Sequence, residues 1–386
     1  MTPTPDTAVS TLPPLSLYIH VPWCVKKCPY CDFNSHALTG DIPENDYLDA
    51  IMEDLAGDLA LIQGRPIGTV FIGGGTPSLM SPNFYNILFD RLRTHLSFTD
   101  DAEITLEANP GTVEQTRFNG FRGAGINRLS LGIQSFNPMQ LKALGRIHDD
   151  KAAHRAIEAA RNAGFDNFNL DLMHGLPGQT PADALDDLRA AMSWQPPHLS
   201  WYQLTLEPNT EFYSRPPQLP NDDYLWEIYC QGADYLHQQG FKDYEVSAWS
   251  RPDMASRHNL NYWQYGDFLG LGAGAHGKLT DANGAVQRYW KTRLPKDYLN
   301  PDKAYLAGSK TLDSDELPFD FLMNALRLVD GVPSAWYAER TGQSLEQIAD
   351  TLKQAEAKGL LEPWQQQLRP TERGRLFLND LLEMFL

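Results

Sequence analysis

The sequence predicts an α/β fold in which a parallel sheet of about six βα units is followed by further β elements and a C-terminal helical domain. Short apolar runs alternate with amphipathic stretches through the first half of the chain. Polar motifs follow the ends of several of these runs, and the last seventy or so residues show only helical periodicity. Repeated βαβ units imply parallel strands with right-handed crossovers, which a doubly wound sheet or a full or partial barrel would satisfy.

Six apolar runs in the first half have the length and composition of buried strands. They span residues 15–21, 68–72, 102–108, 127–132, 168–174 and 198–204. Helices are predicted between them at 44–62, 82–96, 113–122, 138–144, 151–163 and 181–194. The first of these helices carries apolar residues at helical spacing, namely Leu48, Ile51, Leu55, Leu59 and Ile62.

The alternation weakens after residue 220. Residues 222–239 predict a helix, 244–277 predict short strands in an aromatic and glycine-rich stretch, and 294–315 predict a linker. Residues 316–386 predict three or four helices with a turn or wing at 361–368. We therefore divide the chain into a flexible tail (1–14), a barrel (15–220), a barrel extension (221–300) and a C-terminal helical, winged-helix-like domain (310–386).

The composition excludes several classes of protein. The chain has 386 residues, of which 42% are hydrophobic, and a formal net charge of -17. A general nucleic-acid binder needs an excess of Lys and Arg, which is absent here. The N-terminal residues do not resemble a secretory signal, and no run approaches the roughly 20 apolar residues of a membrane span. The sequence therefore predicts a cytoplasmic protein.

A metal centre is indicated by the cysteines. Three of the four lie close together in a C-x3-C-x2-C pattern, Cys24, Cys28 and Cys31, directly after the first predicted strand. Thiolates are the preferred ligands of iron–sulfur clusters and zinc. Zinc would need a fourth ligand such as His20 or His36, whereas a [4Fe–4S] cluster held by three cysteines leaves one iron open to a small chelating ligand. Cys230, alone in a helical pattern, is predicted to be an inert thiol.

Further polar motifs follow the other predicted strands. They are the glycine-rich segment 73–77, the segment 107–110, Gln134 and Asp171. In parallel α/β folds, ligands bind at the carboxyl ends of the strands, so these motifs predict a binding site on the same face as the cysteines.

Taken together, the motifs resemble those of the oxygen-independent coproporphyrinogen III oxidase family of radical S-adenosylmethionine (SAM) proteins. The segment YIHVPWCVKKCPYC resembles the family's cluster loop. The other matching segments are FIGGGTPS (71–78), LEANP (106–110), LSLGIQSF (129–136), LGRIH (144–148), NLDLMHGLPGQT (169–180), YEVSAW (244–249), HNLNYW (258–263) and GLGAGAH (270–276).

The resemblance implies a partial (β/α)6 radical-SAM barrel that holds a [4Fe–4S] cluster on Cys24, Cys28 and Cys31, with SAM on the open iron. In such proteins an electron cleaves SAM to give a 5′-deoxyadenosyl radical. It implies one bound SAM, or two. The residues that match contacts of the cluster-bound SAM are Tyr18, Tyr30 and Gly74. Glu107 is a carboxylate in an otherwise apolar strand and needs a partner, which the ribose hydroxyls or the amino group of SAM could supply. Those that match contacts of a second SAM are Gly75, Thr76, Gln134, Arg146 and Asp171.

Within this family the sequence is most similar to the haem-chaperone branch. Asp32 and Phe33 stand where the oxidases carry a further cysteine, only about seventeen residues precede Tyr18, and HNLNYW fits the HNxxYW motif of the chaperones. The implied function is to bind haem and deliver it to haem-requiring proteins such as respiratory enzymes, with transient contact to membrane proteins. Coproporphyrinogen oxidation and SAM-dependent methyl transfer are the alternatives, and no catalytic residue is assigned.

His258 is the residue that the resemblance offers as a haem ligand, on what we expect to be a mobile loop. Each site residue also has a structural alternative. The glycines could form a tight turn, Glu107 could pair with Arg122, Arg128 or Arg146, and Arg146 could pair with Asp171. His258 could simply be a hydrogen-bonded side chain, and His20 and His174 are expected to stabilise the cluster pocket.

Overall fold

The computed structural model describes residues 12–111 and 115–386. Most of the predicted tail, residues 1–11, lies outside the described residues. The last residues of the predicted tail contact the rest of the protein. The Pro13 carbonyl accepts a hydrogen bond from Arg65, and the Pro14 carbonyl accepts one from the Asp267 amide. The ordered fold therefore includes part of the segment that was predicted to be tail.

The described residues form sixteen strands and fifteen α-helices. The strands are β1 (Leu15–Val21), β2 (Trp23–Cys24), β3 (His36–Ala37), β4 (Ile67–Gly74), β5 (Phe98–Ala108), β6 (Arg128–Gln134), β7 (Phe168–His174), β8 (His198–Gln203), β9 (Lys242–Glu245), β10 (Ala248–Ser250), β11 (Asp267–Leu271), β12 (His276–Thr280), β13 (Val286–Lys291), β14 (Leu306–Thr311), β15 (Val332–Pro333) and β16 (Gln367–Leu368). The helices are α1 (Glu44–Ile62), α2 (Pro82–Arg93), α3 (Gln115–Gly123), α4 (Pro138–Ala143), α5 (Asp150–Asn162), α6 (Pro181–Met192), α7 (Glu211–Ser214), α8 (Asp222–Gln238), α9 (Arg257–Trp263), α10 (Pro295–Tyr298), α11 (Leu317–Ala325), α12 (Ala335–Thr341), α13 (Ala349–Ala357), α14 (Glu372–Leu376) and α15 (Leu378–Glu383).

Twelve of the strands form one sheet, in the order β14-β13-β12-β11-β1-β4-β5-β6-β7-β8-β10-β9. The seven central strands, from β11 to β8, are parallel, and antiparallel strands extend both edges. From β1 to β8 each new strand is added on the same side of the one before. A doubly wound sheet would reverse its order at a switch point. The fold is therefore the partial-barrel alternative, and the predicted α/β class is confirmed.

The six predicted strands and six predicted helices of the first half are all present, and β1, β7 and α1 have the predicted bounds. Helix α1 buries Leu48, Ile51 and Leu55 as its periodicity requires. The seventh parallel strand, β11, comes from the predicted barrel extension and pairs with β1 on the side away from β4. The extension is thus part of the main sheet.

The predicted linker at 294–315 is wrong. This segment contains α10 and β14, and β14 pairs with β13 along the sheet edge. Strand β14 is exposed at nearly every position. An edge strand with no buried face lacks the apolar alternation by which a strand is recognised in a sequence.

The C-terminal segment has a hydrophobic core of its own, with Phe321, Leu352 and Leu381 at its centre. It contains five helices, α11 to α15, rather than the predicted three or four. Strands β15 and β16 form a two-stranded antiparallel sheet, and a bridge between Leu361 and Pro370 closes the segment that was predicted to be a turn or wing. Tyr265 and Val286 of the main sheet region belong to the same core, so the two parts are packed together.

None of the helices in the described part of the chain combines the length and apolarity needed to cross a lipid bilayer.

Candidate functional site

The cysteine loop begins where β1 ends. Strands β2 and β3 pair in parallel and close the loop, and the amide of Leu38 donates to the Cys24 carbonyl at 2.8 Å. Within the loop the Cys31 amide donates to the Cys28 carbonyl at 3.1 Å. As a result Cys24, Cys28 and Cys31 all line one cavity of about 360 Å³. A cavity of this size suits a small molecule.

Cys28 and Cys31 both lie near the Cys24 thiol. Burial is the largest cause of the raised pKa of Cys24, and the two neighbouring cysteines raise it further. A zinc site needs its ligands on one centre, whereas the cysteines of an iron–sulfur cluster each bind a different iron.

The surroundings of the three thiols affect how readily each one ionises. Burial raises the pKa of the Cys24 and Cys31 thiols, so thiolates form there at a cost that a metal centre can offset. The Cys28 sulfur accepts a hydrogen bond from Arg146 Nη1 at 3.5 Å, and the Cys31 sulfur lies 3.6 Å from Ser35 Oγ. Such hydrogen bonds to sulfur are among the features that tune iron–sulfur centres.

The glycine-rich end of β4 packs directly against the cysteine loop. A Cβ atom at Gly74, where φ is 111°, would lie 2.5 Å from the His20 ring, and a Cβ at Gly75 would lie 2.6 Å from the Trp23 carbonyl oxygen. The Gly75 amide donates to the Val21 carbonyl at 2.7 Å. A side chain at either position would clash with these neighbours, so close packing is one reason that both residues are glycine. Both glycines also line the cavity.

Glu107 projects from β5 into the same cavity. Its Oε2 accepts a hydrogen bond from the Gly74 amide at 3.1 Å. Burial, together with the nearby Asp171 carboxylate, raises the pKa of Glu107 to about 8. No ion pair joins Glu107 to Arg122, Arg128 or Arg146 within the described residues, so the salt-bridge alternative is wrong. Among the residues that the structure describes, the Glu107 carboxyl group forms no ion pair.

Asp171 and Arg146 lie on the same cavity but are not paired with each other. Both Asp171 oxygens accept hydrogen bonds, from Ser130 Oγ at 2.9 Å and from Asn169 Nδ2 at 2.7 Å. Burial raises the pKa of Asp171. Arg146 Nη2 instead donates to Asn109 Oδ1 at 2.5 Å and to a backbone carbonyl of β6. The Arg–Asp alternative is therefore wrong.

Most of the predicted site residues meet at this cavity. Those that line it are Cys24, Cys28, Cys31, Tyr30, Gly74, Gly75, Thr76, Glu107, Gln134, Arg146 and Asp171. Tyr18 lies beside it, with its hydroxyl 3.0 Å from His20 Nδ1. Because neighbouring parallel strands end at one edge, motifs far apart in sequence come together here.

His258 is the exception. It lies in α9 rather than on a mobile loop, so that expectation is wrong, and only 1% of it is exposed. Its Nδ1 is 2.8 Å from Thr69 Oγ1, and its ring stacks on Phe71 with centroids 5.2 Å apart. His258 fills the interior of the partial barrel and does not line the cavity, although Asn259 and Trp263 of the same helix do.

The cavity is also lined by Asn109, which lies within the predicted polar segment 107–110, and by Ser130, Ser200 and Tyr202, which were not predicted as site residues. The Tyr202 hydroxyl donates to Gln134 Oε1 at 2.8 Å. A signal for these residues exists, since Ser200 and Tyr202 are polar positions two apart in β8 and so share its inner face. Asn109 directly follows Ala108, where β5 ends.

Comparison with known proteins bears on this site. The chain matches the family model described as the radical SAM superfamily over residues 18–191, and the model described as the HemN C-terminal domain over residues 312–377. The first match contains all three clustered cysteines, and the second falls within the segment with its own helical core.

Two curated relatives match over nearly the whole chain. The haem chaperone HemW of Escherichia coli strain K12 is 51% identical over 375 residues, covering 97% of this chain and 99% of the relative. The haem chaperone HemW of Bacillus subtilis strain 168 is 32% identical over 381 residues, covering 96% of this chain and 99% of the relative.

A solved structure shows the same fold. Coproporphyrinogen III oxidase (HemN) of Escherichia coli, a radical SAM enzyme, superposes with a TM-score of 0.82 over 98% of this chain and 92% of that chain, at 24% sequence identity. At this identity the likeness is one of fold.

Proposed function

The chain belongs to the family of HemW haem chaperones within the radical SAM superfamily, and from this premise we propose that it binds haem and delivers it to haem-requiring proteins. Two observations support the proposal. Relatives that bear this name match the chain from end to end. The three cysteines also line one cavity together with all of the predicted SAM residues except Tyr18.

Family membership implies a [4Fe–4S] cluster and SAM. We propose that Cys24, Cys28 and Cys31 hold the cluster, because all three line one cavity. When bound and reduced, such a cluster supplies the electron that cleaves SAM. The protein's own contribution is the hydrogen bond that Arg146 donates to the Cys28 sulfur.

The acidic pair in the cavity supports SAM as the second occupant. Glu107 and Asp171 both line the cavity, and burial raises the pKa of both carboxyl groups. SAM carries an ammonium and a sulfonium, and a cation beside a buried carboxyl favours its ionised form. We assign Glu107 with Tyr18, Tyr30 and Gly74 to the cluster-bound SAM.

A second SAM is assigned to the residues Gly75, Thr76, Gln134, Arg146 and Asp171. They lie on the same cavity as the first group. Equilibrium binding of SAM to the reconstituted protein would count the sites. We expect a stoichiometry of one or two per chain.

The delivery step belongs to the same proposal. The recipients would be haem-requiring proteins such as respiratory enzymes, reached from the cytoplasm by transient contact with membrane proteins. Oxidative decarboxylation of coproporphyrinogen is the second candidate, which the shared fold with the oxidase favours. Family membership decides for the chaperone, because the chain aligns with named chaperones at 51% identity and with the oxidase at 24%.

Anaerobic reconstitution tests the two functions against each other. The protein is reconstituted with iron and sulfide, reduced, and incubated either with SAM and coproporphyrinogen or with haem. We expect a Soret band after haem addition and no protoporphyrinogen. Formation of protoporphyrinogen would contradict the chaperone function, and a methylated product would point to methyl transfer.

The cluster assignment has its own test. Substituting serine for Cys24, Cys28 and Cys31 together is expected to abolish the brown absorption and the bound iron and sulfide, while Cys230→Ser, the matched control, should leave both unchanged. Full iron and sulfide in the triple variant, or zinc in place of iron in anaerobically purified protein, would exclude the assignment.

A further inference from the structure

A chain of buried hydrogen bonds lies behind Asp171 in the interior of the partial barrel. Asn169 and Asp171 are two apart in β7, so their side chains share one face of the sheet. In the parallel register with β8, Asn169 is opposite His198 and Asp171 is opposite Ser200. Only 2% of Asn169 and 1% of His198 is exposed. Strand pairing therefore places a buried amide and a buried imidazole next to a carboxyl group of the cavity.

The hydrogen bonds of Asn169 fix which way round its amide lies. Its Nδ2 donates to Asp171 Oδ1 at 2.7 Å and to Ser130 Oγ at 2.8 Å. The amide oxygen points the other way, where it accepts from Ser200 Oγ at 3.1 Å and lies 2.7 Å from His198 Nδ1. Because an amide oxygen can only accept, His198 Nδ1 carries the proton.

The other ring nitrogen of His198 continues the chain of hydrogen bonds. Burial, together with the nearby Arg128 guanidinium, holds the pKa of His198 well below its usual range, so the ring is neutral and Nε2 has a lone pair. Nε2 lies 2.9 Å from the Tyr244 hydroxyl, which is therefore the donor. The Tyr244 oxygen accepts in turn from Asn259 Nδ2 at 3.4 Å. The chain thus runs from Asn259 of α9 to Asp171 of β7.

Only the two ends of this chain reach the cavity that contains the cysteines. Asp171 and Asn259 line that cavity, whereas Asn169, His198 and Tyr244 do not. The interior of a (β/α) barrel is usually filled with branched apolar side chains. Buried polar groups are costly unless each is satisfied, and a fully satisfied network fixes the orientation of its members. The orientation of a cavity carboxyl group is therefore set by side chains that lie outside the cavity.

We propose that His198 and Tyr244 are positioning residues for SAM, which act through Asn169 to hold the Asp171 carboxylate in the orientation that binds the ligand. This inference rests on the proposed function, which assigns Asp171 to a bound SAM. Each Asp171 oxygen accepts one hydrogen bond from the protein, from Asn169 or Ser130. Further lone pairs on both oxygens remain for the ammonium group or a ribose hydroxyl of SAM.

His198 is the member that determines the direction of the network. Ser200 also contacts the Asn169 oxygen, but a hydroxyl can donate or accept and so would tolerate a reversed amide. The Nδ1–H of His198 can only donate, and it would meet the NH2 group of a reversed Asn169. The reversed amide would also turn its oxygen toward the Asp171 carboxylate. Tyr244 contributes by donating to Nε2, which keeps the proton of the neutral ring on Nδ1.

The test measures SAM binding by equilibrium dialysis to the full chain, reconstituted anaerobically with its cluster. His198→Asn keeps a donor at the position of Nδ1, whereas His198→Gln places its amide at the position of Nε2 and leaves Asn169 without that donor. We expect His198→Gln to bind SAM at least about fivefold more weakly, as for the loss of one hydrogen bond, and His198→Asn to bind within about twofold of the parent. Equal affinities in the two variants would overturn the proposal.

A double-mutant cycle shows whether His198 acts through Asp171. Asp171→Asn alone should weaken SAM binding, and adding His198→Gln should weaken it by no more than about twofold further, because the carboxylate is already gone. Additive losses would contradict the proposal. The matched control is His154→Gln, which should leave SAM binding unchanged. His154 of α5 accepts a hydrogen bond from the Trp194 indole at 2.8 Å and does not line the cavity.

Tyr244→Phe gives a second measurement that leaves the imidazole in place. It should weaken SAM binding about threefold in the parent and not in His198→Asn, where no ring tautomer has to be fixed. Similar weakening in both backgrounds would exclude the role of Tyr244. Circular dichroism and iron content show that each variant keeps its fold and cluster. A parent protein that binds no SAM, or unchanged binding in Asp171→Asn, would instead reject the SAM assignment of the proposed function.

Discussion

At the scale of single residues, the surroundings of Glu107 determine when its carboxyl group ionises. Its carboxyl group is buried, and burial together with Asp171 raises its pKa from 4.5 to about 8, while the hydrogen bond from Gly74 opposes the rise. Near neutral pH the group is therefore mainly protonated in the ligand-free protein. A cation in the cavity would favour the ionised form, so the binding of a cationic ligand and the release of this proton are linked.

This linkage predicts how stability depends on pH. Between about pH 4.5 and pH 8 the folded protein retains a proton on Glu107 that the unfolded chain has released, so the contribution of this residue to stability falls as pH rises. In Glu107→Gln this contribution is absent. We expect the ligand-free variant to gain up to a few kcal/mol over the parent at pH 8 and much less at pH 5.

Urea denaturation of both ligand-free proteins at the two pH values measures this difference. The same variant should bind SAM more weakly, because it has lost the carboxylate. A stability difference that is equal at both pH values would show that Glu107 is not the buried titrating group.

At the scale of elements, the cluster site depends on how the end of β4 meets the cysteine loop. Gly75 and Thr76 donate backbone hydrogen bonds to the Val21 and Trp23 carbonyls, each at 2.7 Å. The contact is so close that a Cβ on Gly75 would meet the backbone of Trp23 and Pro22. The position of the three cysteines is therefore fixed by the neighbouring strand as well as by their own loop.

Gly75→Ala is expected to displace the loop and reduce the iron and sulfide retained after reconstitution, with a loss of stability of about 1–3 kcal/mol from overpacking. Gly68→Ala is the matched control on the same strand, because its Cβ would lie 4.0 Å from the nearest atom, the Leu15 carbonyl oxygen. Iron content, sulfide content and circular dichroism are measured for both. If Gly75→Ala retained the full cluster, the strand contact would not determine the position of the cysteines.

At the scale of the whole molecule, buried charges join the added antiparallel strands to the barrel. Lys291 at the end of β13 contacts Asp54 and Asp58 of α1, at 2.5 Å and 2.6 Å. The Tyr298 hydroxyl also donates to Asp54 at 2.7 Å. Removing one member of a buried charge network leaves its partner buried without an opposite charge. The free-energy cost of that unpaired charge is larger than the stabilisation that the intact pair provides.

Lys291→Ala should therefore lower the free energy of unfolding by about 3–5 kcal/mol, because it leaves Asp54 buried without its cationic partner. Lys310→Ala removes an exposed pair with Glu316 and should change stability little. Chemical denaturation of the two variants makes the comparison. Similar losses in both would mean that burial does not decide the strength of the Lys291 network.

Side-chain contacts also join the C-terminal segment to the cavity that the three cysteines line. Arg327 lies over the Trp263 ring, 4.3 Å from its centroid, and pairs with Glu245 at 3.2 Å. Trp263 and Glu245 both line the cavity that contains Cys24, Cys28 and Cys31. The segment beyond the barrel therefore supports part of the wall of the site, a relation that no local pattern in the sequence indicates.

The sequence by itself determined the local parts of this protein. Apolar periodicity placed α1, β1 and β7, and the spacing of Cys24, Cys28 and Cys31 predicted a cluster, because these signals depend only on neighbouring residues. The tertiary structure alone decided what is not local: that β11 is a parallel partner of β1, that β14 is a strand, that His258 is buried in α9, and that His198 contacts Asn169 behind Asp171. Strand pairing, burial and hydrogen-bond networks arise from contacts between distant segments, and the contacts themselves exist only once the chain has folded.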